Sequence, residues 1–372
     1  MAALPVRQPG HAPATGKAGS KMTSPLDRRR FLQALLALGA SSAAASALGC
    51  ATGNPPQPAS VPTAGVAGPA AGSTAAPSAT ALPRLQPTLA ATASASAAEA
   101  SAAAPSGPVV AVARGPSPEA ITRAAIDALG GMSSFVKKGD RVVIKPNILT
   151  AAEPQYGVST NPEVMAALVK MCLEAGAGLV QVFDNPTSNV ATAYQKSGIE
   201  AAVTAAGARM EKMSQLKYKK TAIPQGRDIK SWPIYEDILT ADVVIDAAIA
   251  KTHNLAGLTM GMKNLMGAID NRGSFHSNIG QRLADLSTVI RPTLTVIDAV
   301  RVMVRNGPTG GSTSDVRDMD TVIASRDIVA ADSYGATLFG MKGSDLAYLK
   351  IAAEMGLGTL DLARMQVKEV RA

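Results

Sequence analysis

From residue 109 onward, short apolar runs alternate with stretches in which apolar residues recur every three or four positions. The runs predict strands at 109–113, 141–145, 179–184, 243–249, 294–298 and 321–324. The helical spacing covers 117–129, 161–176, 191–206, 258–269, 281–290, 327–339 and 345–355, with one helical turn at 235–240. Ser117 opens the first helix as an N-cap, and Asn161-Pro162-Glu163 opens the second with Pro at its first position. Residues 209–233 read as two short strands on an edge. Strands that are apolar on both faces, separated by helices, predict an α/β fold: a mostly parallel sheet covered by helices on both faces.

Upstream the pattern stops. Residues 51–107 are almost wholly Ala, Ser, Pro, Gly and Thr, a composition that buries too little surface to offset its ordering entropy. A disordered linker is therefore expected there, ahead of a single domain at 108–372. Before the linker, Asp27-Arg28-Arg29-Arg30-Phe31-Leu32-Gln33 and the Leu/Ala-rich run 34–48 have the charged and apolar regions of an export signal. They resemble a bacterial twin-arginine signal; a membrane-spanning helix is the other reading of so apolar a run, which is short for one. Met22 lies just upstream, so residues 1–21 read as an extension or as the product of an early start codon. Ala47-Leu48-Gly49-Cys50 resembles a lipobox that would lipidate Cys50, and Ala45-Ser46-Ala47 offers an ordinary cleavage site. A coil of 57 residues after Cys50 would hold the domain roughly 40 Å from such an anchor. Export to the periplasm or cell surface, with the export machinery and the membrane as partners, is the expectation.

Charge and cysteine content narrow the function. The formal net charge is +8, but seven of the 36 bases and two of the 28 acids precede Pro108. That leaves 29 against 26, a net of +3 for the domain; with 3% aromatic residues in the whole chain and no basic run in the domain, nucleic acid is not an expected partner. Cys50 and Cys172 are the only cysteines, whereas an iron-sulfur cluster takes about four thiolates; none is expected from this chain alone. Cys172 falls on the apolar face of a helix and reads as a core thiol.

The polar residues of interest follow the strands. Lys145-Pro146-Asn147 closes one, Asp184-Asn185 another, Lys251 and His253 a third, and Asp298 and Arg301 a fourth. In parallel sheets the carboxyl edge is where ligands bind, so the topology itself would bring these groups to one crevice. Lys251 and His253 are the candidate catalytic pair; Lys145, Asn147, Lys263, Asn264, Asp298, Gly307 and Gly310 are the candidate ligand-binding residues. Lysines supply point charges for a carboxylate or phosphate, and asparagines supply oriented donors and acceptors. The loop from Gly307 to Gly311 would bring backbone amides to an anion, or is an ordinary turn. His253, His276, Asp298 and Asp332 are the candidate ligands should a metal bind, although their spacing fits no metal motif. No Gly-x-Ser-x-Gly elbow is present, which argues against a serine hydrolase.

Several motifs resemble a known family when taken in order. They are Val143-Ile144-Lys145-Pro146-Asn147, Ala250-Lys251-Thr252-His253, Met262-Lys263-Asn264-Leu265-Met266-Gly267, Ile297-Asp298, Asn306-Gly307-Pro308-Thr309-Gly310 and Ala324 through Asp332. Their sequence over about 109–360 is similar to the domain of unknown function 362 family, some members of which add a ferredoxin-like segment that this chain lacks. That family is distantly similar to nickel-dependent lactate racemases, a likeness of fold that establishes no reaction. Two function classes fit the residues. One is an exported enzyme acting on a small anion, with His253 as general acid or base and the lysines as clamps. The other is a membrane-tethered binding protein that captures a small anion or metal complex without turnover. The cofactor is not specified by the sequence.

Overall fold

A strand buried in the middle of a sheet needs an apolar face on each side, and alternation along the chain supplies both. The computed structural model describes residues 110–372; the expected signal segment 1–50 with Cys50 and the expected linker 51–107 lie outside the described residues. The described strands are β1 (Val110–Arg114), β2 (Arg141–Pro146), β3 (Leu179–Val182), β4 (Arg209–Met210), β5 (Tyr218–Ala222), β6 (Ser231–Tyr235), β7 (Val243–His253), β8 (Gly257–Thr259), β9 (Leu294–Met303), β10 (Val316–Ser325) and β11 (Val367–Arg371). One sheet runs in the order β11-β1-β10-β9-β7-β2-β3-β4, with β8 folded back on β7. All pairings from β9 to β4 are parallel, and so is β1 with β11; β10 runs against both of its neighbours.

The helices are α1 (Pro118–Asp127), α2 (Pro162–Glu174), α3 (Val190–Lys196), α4 (Ile199–Ala205), α5 (Glu236–Thr240), α6 (Gly261–Asn264), α7 (Arg272–Phe275), α8 (Ile279–Ser287), α9 (Ile328–Thr337) and α10 (Ala347–Glu354). Alternate strand residues divide them between two faces. Val142 and Ile144 of β2, Ile245 of β7 and Val296 of β9 share a core with Ile121 of α1, Leu168 of α2, Tyr194 of α3 and Ile199 of α4. Their neighbours Val143, Val244 and Ile297 share the opposite core with Leu283 of α8, Val329 of α9 and Leu349 of α10. Each such side chain contributes roughly 1.5–3 kcal/mol when fully buried. The sheet is therefore mostly parallel, mixed only at β10 and β8, and flanked by helices.

The caps sit where the sequence puts them: Ser117 Oγ accepts from the Ala120 amide and Asn161 Oδ1 from the Glu163 amide. Cys172 is buried, and desolvation pushes its thiol up to about 12, as befits a core residue. Several boundaries differ. β7 continues past Ile249 to His253 because β8 pairs with it, Lys251 opposite Thr259 and His253 opposite Gly257. The helix expected at 258–269 is broken into β8, the single turn α6 and a 3-10 turn over Leu265–Ala268. Asp332 explains the start of α6, since its carboxylate accepts from the amides of Gly261 and Met262. β5 and β6 form a two-stranded sheet of their own, joined to Ile269 by a single bridge at Ile234, and the expected edge position is taken by β4. β11 has no expected counterpart: Val367-Lys-Glu-Val-Arg is a charged, exposed edge strand with no buried face to reveal it.

Candidate functional site

Parallel register brings the ends of β2, β3, β7 and β9 to one edge of the sheet. Lys145, the one lysine of β2, is fully buried there and spends all three donors. Its Nζ lies 2.9 Å from Asp184 Oδ1, 2.7 Å from the Pro146 carbonyl and 3.1 Å from Asn264 Oδ1. Asp184 is saturated in turn by the amides of Ile148 and Asn185. Asn264 is the hub: Oδ1 also accepts from Asn147 Nδ2, and Nδ2 donates to the Lys145 carbonyl and to Asp246 Oδ1. Burial raises the Asp246 carboxyl far above its ordinary range, and its second oxygen has no partner among the described residues. A neutral carboxylic acid suits that position. Gly267 closes over the ion pair, where a β-carbon would overlap Asp184 Oδ1 and Lys145 Nζ.

Above this network opens a cleft of 750 Å³. Its charged and titratable lining comprises Lys145 and Asp184 at the floor, with Lys263, Arg272, Asp270, His253 and His276 around it. Lys145 and Asp184 cancel, so Lys263 and Arg272 face one carboxylate, Asp270. Lys263 makes no side-chain hydrogen bond or ion pair among the described residues. Burial, then repulsion from Arg272 and Lys145, lowers its ammonium to about 8.

The two histidines are fixed in opposite tautomers. The amides of Leu255 and Ala256 donate to His253 Nδ1 at 3.1 and 3.2 Å, so that nitrogen carries the lone pair and Nε2 the proton. Burial, reinforced by Lys263 and His276, lowers His253 to about 3 and keeps it neutral. His276 Nδ1 lies 2.6 Å from the Arg272 carbonyl, which can only accept; the proton is therefore on Nδ1 and the lone pair on Nε2. Burial lowers His276 as well, so its neutral form prevails at pH 7. The two rings face each other at 6.4 Å between centroids with 15° between planes. One is a donor and the other a base.

Of the candidate residues, Lys145, Asn147, His253, Lys263 and Asn264 line this one cleft. Lys251 does not reach it. It is 1% exposed, and its Nζ donates to Asn147 Oδ1 at 3.1 Å and to the Val158 carbonyl at 2.5 Å, which makes it a buried support rather than a catalytic group. His253 has no free lone pair, so of the acid or base roles expected of it only a donor's is open in this neutral form, and the free ring lone pair belongs to His276 Nε2. Asp298 is occupied by the amides of Asn161 and Val300, and Asp332 by those of Gly261 and Met262; neither joins the histidines. Burial raises them to about 6 and about 7 respectively. No group of three or more His, Cys, Asp or Glu side chains fit to hold a metal occurs among the described residues. Gly307 packs on Thr252 and Gly310 on Met303, leaving Pro308 and Thr309 to line the cleft. Arg272 and Asp270 were absent from the expected set; their signal is the turn-forming Asp270-Asn271-Arg272-Gly273 just after the Lys263 motif.

The model of the family described as Domain of unknown function (DUF362) matches residues 142–337, more than half of the chain. This chain belongs to that family. The DUF362 segment runs from β2 into α9 and contains every cleft residue named above. The thylakoid-associated protein of Synechocystis sp. is 30% identical over 220 residues, 56% of this chain and 66% of that relative, so the chain spans just under two thirds of the relative's length. Among solved structures, the lactate racemase apoprotein from Thermoanaerobacterium thermosaccharolyticum is 12% identical with a TM-score of 0.41, covering 61% of this chain and 56% of that one. A Thermotoga maritima protein is 13% identical with a TM-score of 0.38, covering 61% and 60%.

Lys251 gives this DUF362 chain a distinctive pH dependence. Burial, then the charge of Lys263, lowers it from 10.5 to about 7. Between those values the unfolded chain holds a proton that the folded chain has shed, so folding loses stability as pH falls from 10.5 toward 7. Below 7 both states are protonated and the penalty is constant. Lys251→Met removes it; thermal melts should therefore show the variant gaining on the wild type as pH drops from 10 to 7. Parallel melting curves across that range would mean that Lys251 is not held in this way.

Proposed function

We propose that this DUF362 chain is an exported enzyme that acts on a small anionic substrate in the cleft. What carries the reading is the combination of two cations, Lys263 and Arg272, facing a single carboxylate, with a histidine donor and a histidine base on the same cavity. The substrate anion rests against Lys263 and Arg272. His253 Nε2–H donates to an oxygen on which negative charge develops, and being neutral already it needs no proton to do so. His276 Nε2 takes up the proton released from the substrate. The Lys145–Asp184 pair and Asn264 hold the floor rigid beneath them. The same cations serve a protein that merely captures its ligand. His276→Phe separates the two, because it keeps binding but ends consumption of the ligand only in an enzyme.

A thermal-shift panel of small carboxylates, phosphate and neutral analogues tests the reading on the full chain. At least one carboxylate should raise the melting temperature progressively with concentration, since a ligand at 100 times its Kd adds about 2.7 kcal/mol. No response to any anion would contradict it.

Export is supported by the Asp27-to-Gln33 pattern, the proposed partners being the twin-arginine machinery and the membrane. Arg28→Lys with Arg29→Lys should leave precursor in the cytoplasm on fractionation; unchanged export would remove that part of the proposal. Lipidation at Cys50 predicts a mature N-terminus at that residue by mass spectrometry.

A further inference from the structure

Lys263 differs from the other cleft cations in what holds it. Lys145 is committed to Asp184, Pro146 and Asn264, and Arg272 donates to the Pro186 carbonyl. Lys263 has no such commitment among the described residues, although it lines the cavity beside Arg272, His253 and His276. An amine attacks carbon only when unprotonated, and a desolvated setting next to other cations is what frees its lone pair. Burial together with Arg272 and Lys145 provides that setting, and an ammonium lowered to about 8 yields a sizeable amine fraction at mildly alkaline pH.

We propose that Lys263 is a covalent nucleophile that forms an imine with the carbonyl carbon of a small oxo acid whose carboxylate rests on Arg272, with His253 Nε2–H donating to the carbonyl oxygen that takes up charge. This rests on the anion-binding reading of the cleft and names its substrate class. The Lys263 Nζ lone pair forms a bond to the carbonyl carbon while the C–O π pair moves onto oxygen. His276 Nε2 accepts a proton from the new C–N nitrogen and passes it to that oxygen, giving the neutral carbinolamine. One further proton from solvent lets the hydroxyl leave as water as the nitrogen lone pair forms the C=N bond. The resulting iminium keeps the positive charge of Lys263, so the potential holding the carboxylate survives the step.

Glyoxylate with cyanoborohydride, applied to the full chain and followed by peptide mass mapping, tests this. Hydride transfer to the imine carbon would leave a carboxymethyl group on Lys263, formed faster than on exposed Lys220 and with a rate rising through about pH 8. Arg272→Gln removes a charge that lowers the Lys263 ammonium and should slow labelling by both aldehydes, but labelling by glyoxylate should fall roughly tenfold or more beyond the fall seen with neutral acetaldehyde. Lys263 labelled no faster than Lys220 by either aldehyde would overturn the covalent role while leaving anion binding to be judged by the thermal shifts. Fast labelling of Lys263 that is indifferent to Arg272→Gln and equal for both aldehydes would overturn the oxo-acid assignment, and with it the anion-binding reading.

Discussion

Methionine at Lys145 should destabilise the domain by roughly 3–5 kcal/mol, the cost of leaving one partner of a buried ion pair charged and alone. The partner is Asp184, whose oxygens otherwise meet only the amides of Ile148 and Asn185. The same change strips Asn264 Oδ1 and the Pro146 carbonyl of a donor. Adding Asp184→Asn to Lys145→Met should recover much of the loss, because the neutral amide still accepts from Ile148 and no lone charge remains. Urea unfolding followed by circular dichroism measures both. Equal midpoints for Lys145→Met and the wild type would show that the pair is not the floor of the cleft.

The opposite response is expected from the cations above that floor. Lys263→Met combined with Arg272→Gln should weaken binding of whichever carboxylate the thermal-shift panel identifies by roughly 1.5–3 kcal/mol for each lost charge-assisted bond, one to two orders of magnitude per residue. The apoprotein should melt at the same temperature or higher, since the two positive groups repel each other in the empty cleft. Calorimetric titration beside a melt of the unliganded protein resolves the two effects. Unchanged affinity would assign the anion elsewhere, and a destabilised apoprotein would make these residues structural.

The contrast between Lys145, Lys251 and Lys263 shows how far the sequence reaches. All three follow or end apolar segments, and periodicity alone places them near one edge of the sheet. It does not distinguish a lysine bonded to Asp184 from one bonded to the Val158 carbonyl or from one with no bond, because those partners lie up to 93 residues away. Asp246 was legible in principle: an acid inside the otherwise apolar Val243-Val-Ile-Asp-Ala-Ala-Ile run signals a buried polar network. The histidine roles were not legible at all. They depend on two backbone contacts, the Leu255 and Ala256 amides on one ring and the Arg272 carbonyl on the other, which fix each tautomer only once the turns have formed. For the same reason Asp298 and Asp332 read as candidate ligating residues by position, yet both end as acceptors for helix and strand amides.

Long-range 1H–15N spectra of the histidine side chains, titrated with a small carboxylate, test most directly whether an anion held by Lys263 and Arg272 meets a histidine donor and a histidine base in this cleft. His253 should appear as the Nε2–H tautomer, without titration down to pH 4, and His276 as the Nδ1–H tautomer, with both Nε2 signals shifting as the carboxylate binds. Two histidines in the same tautomer, or signals that ignore every carboxylate, would contradict that arrangement.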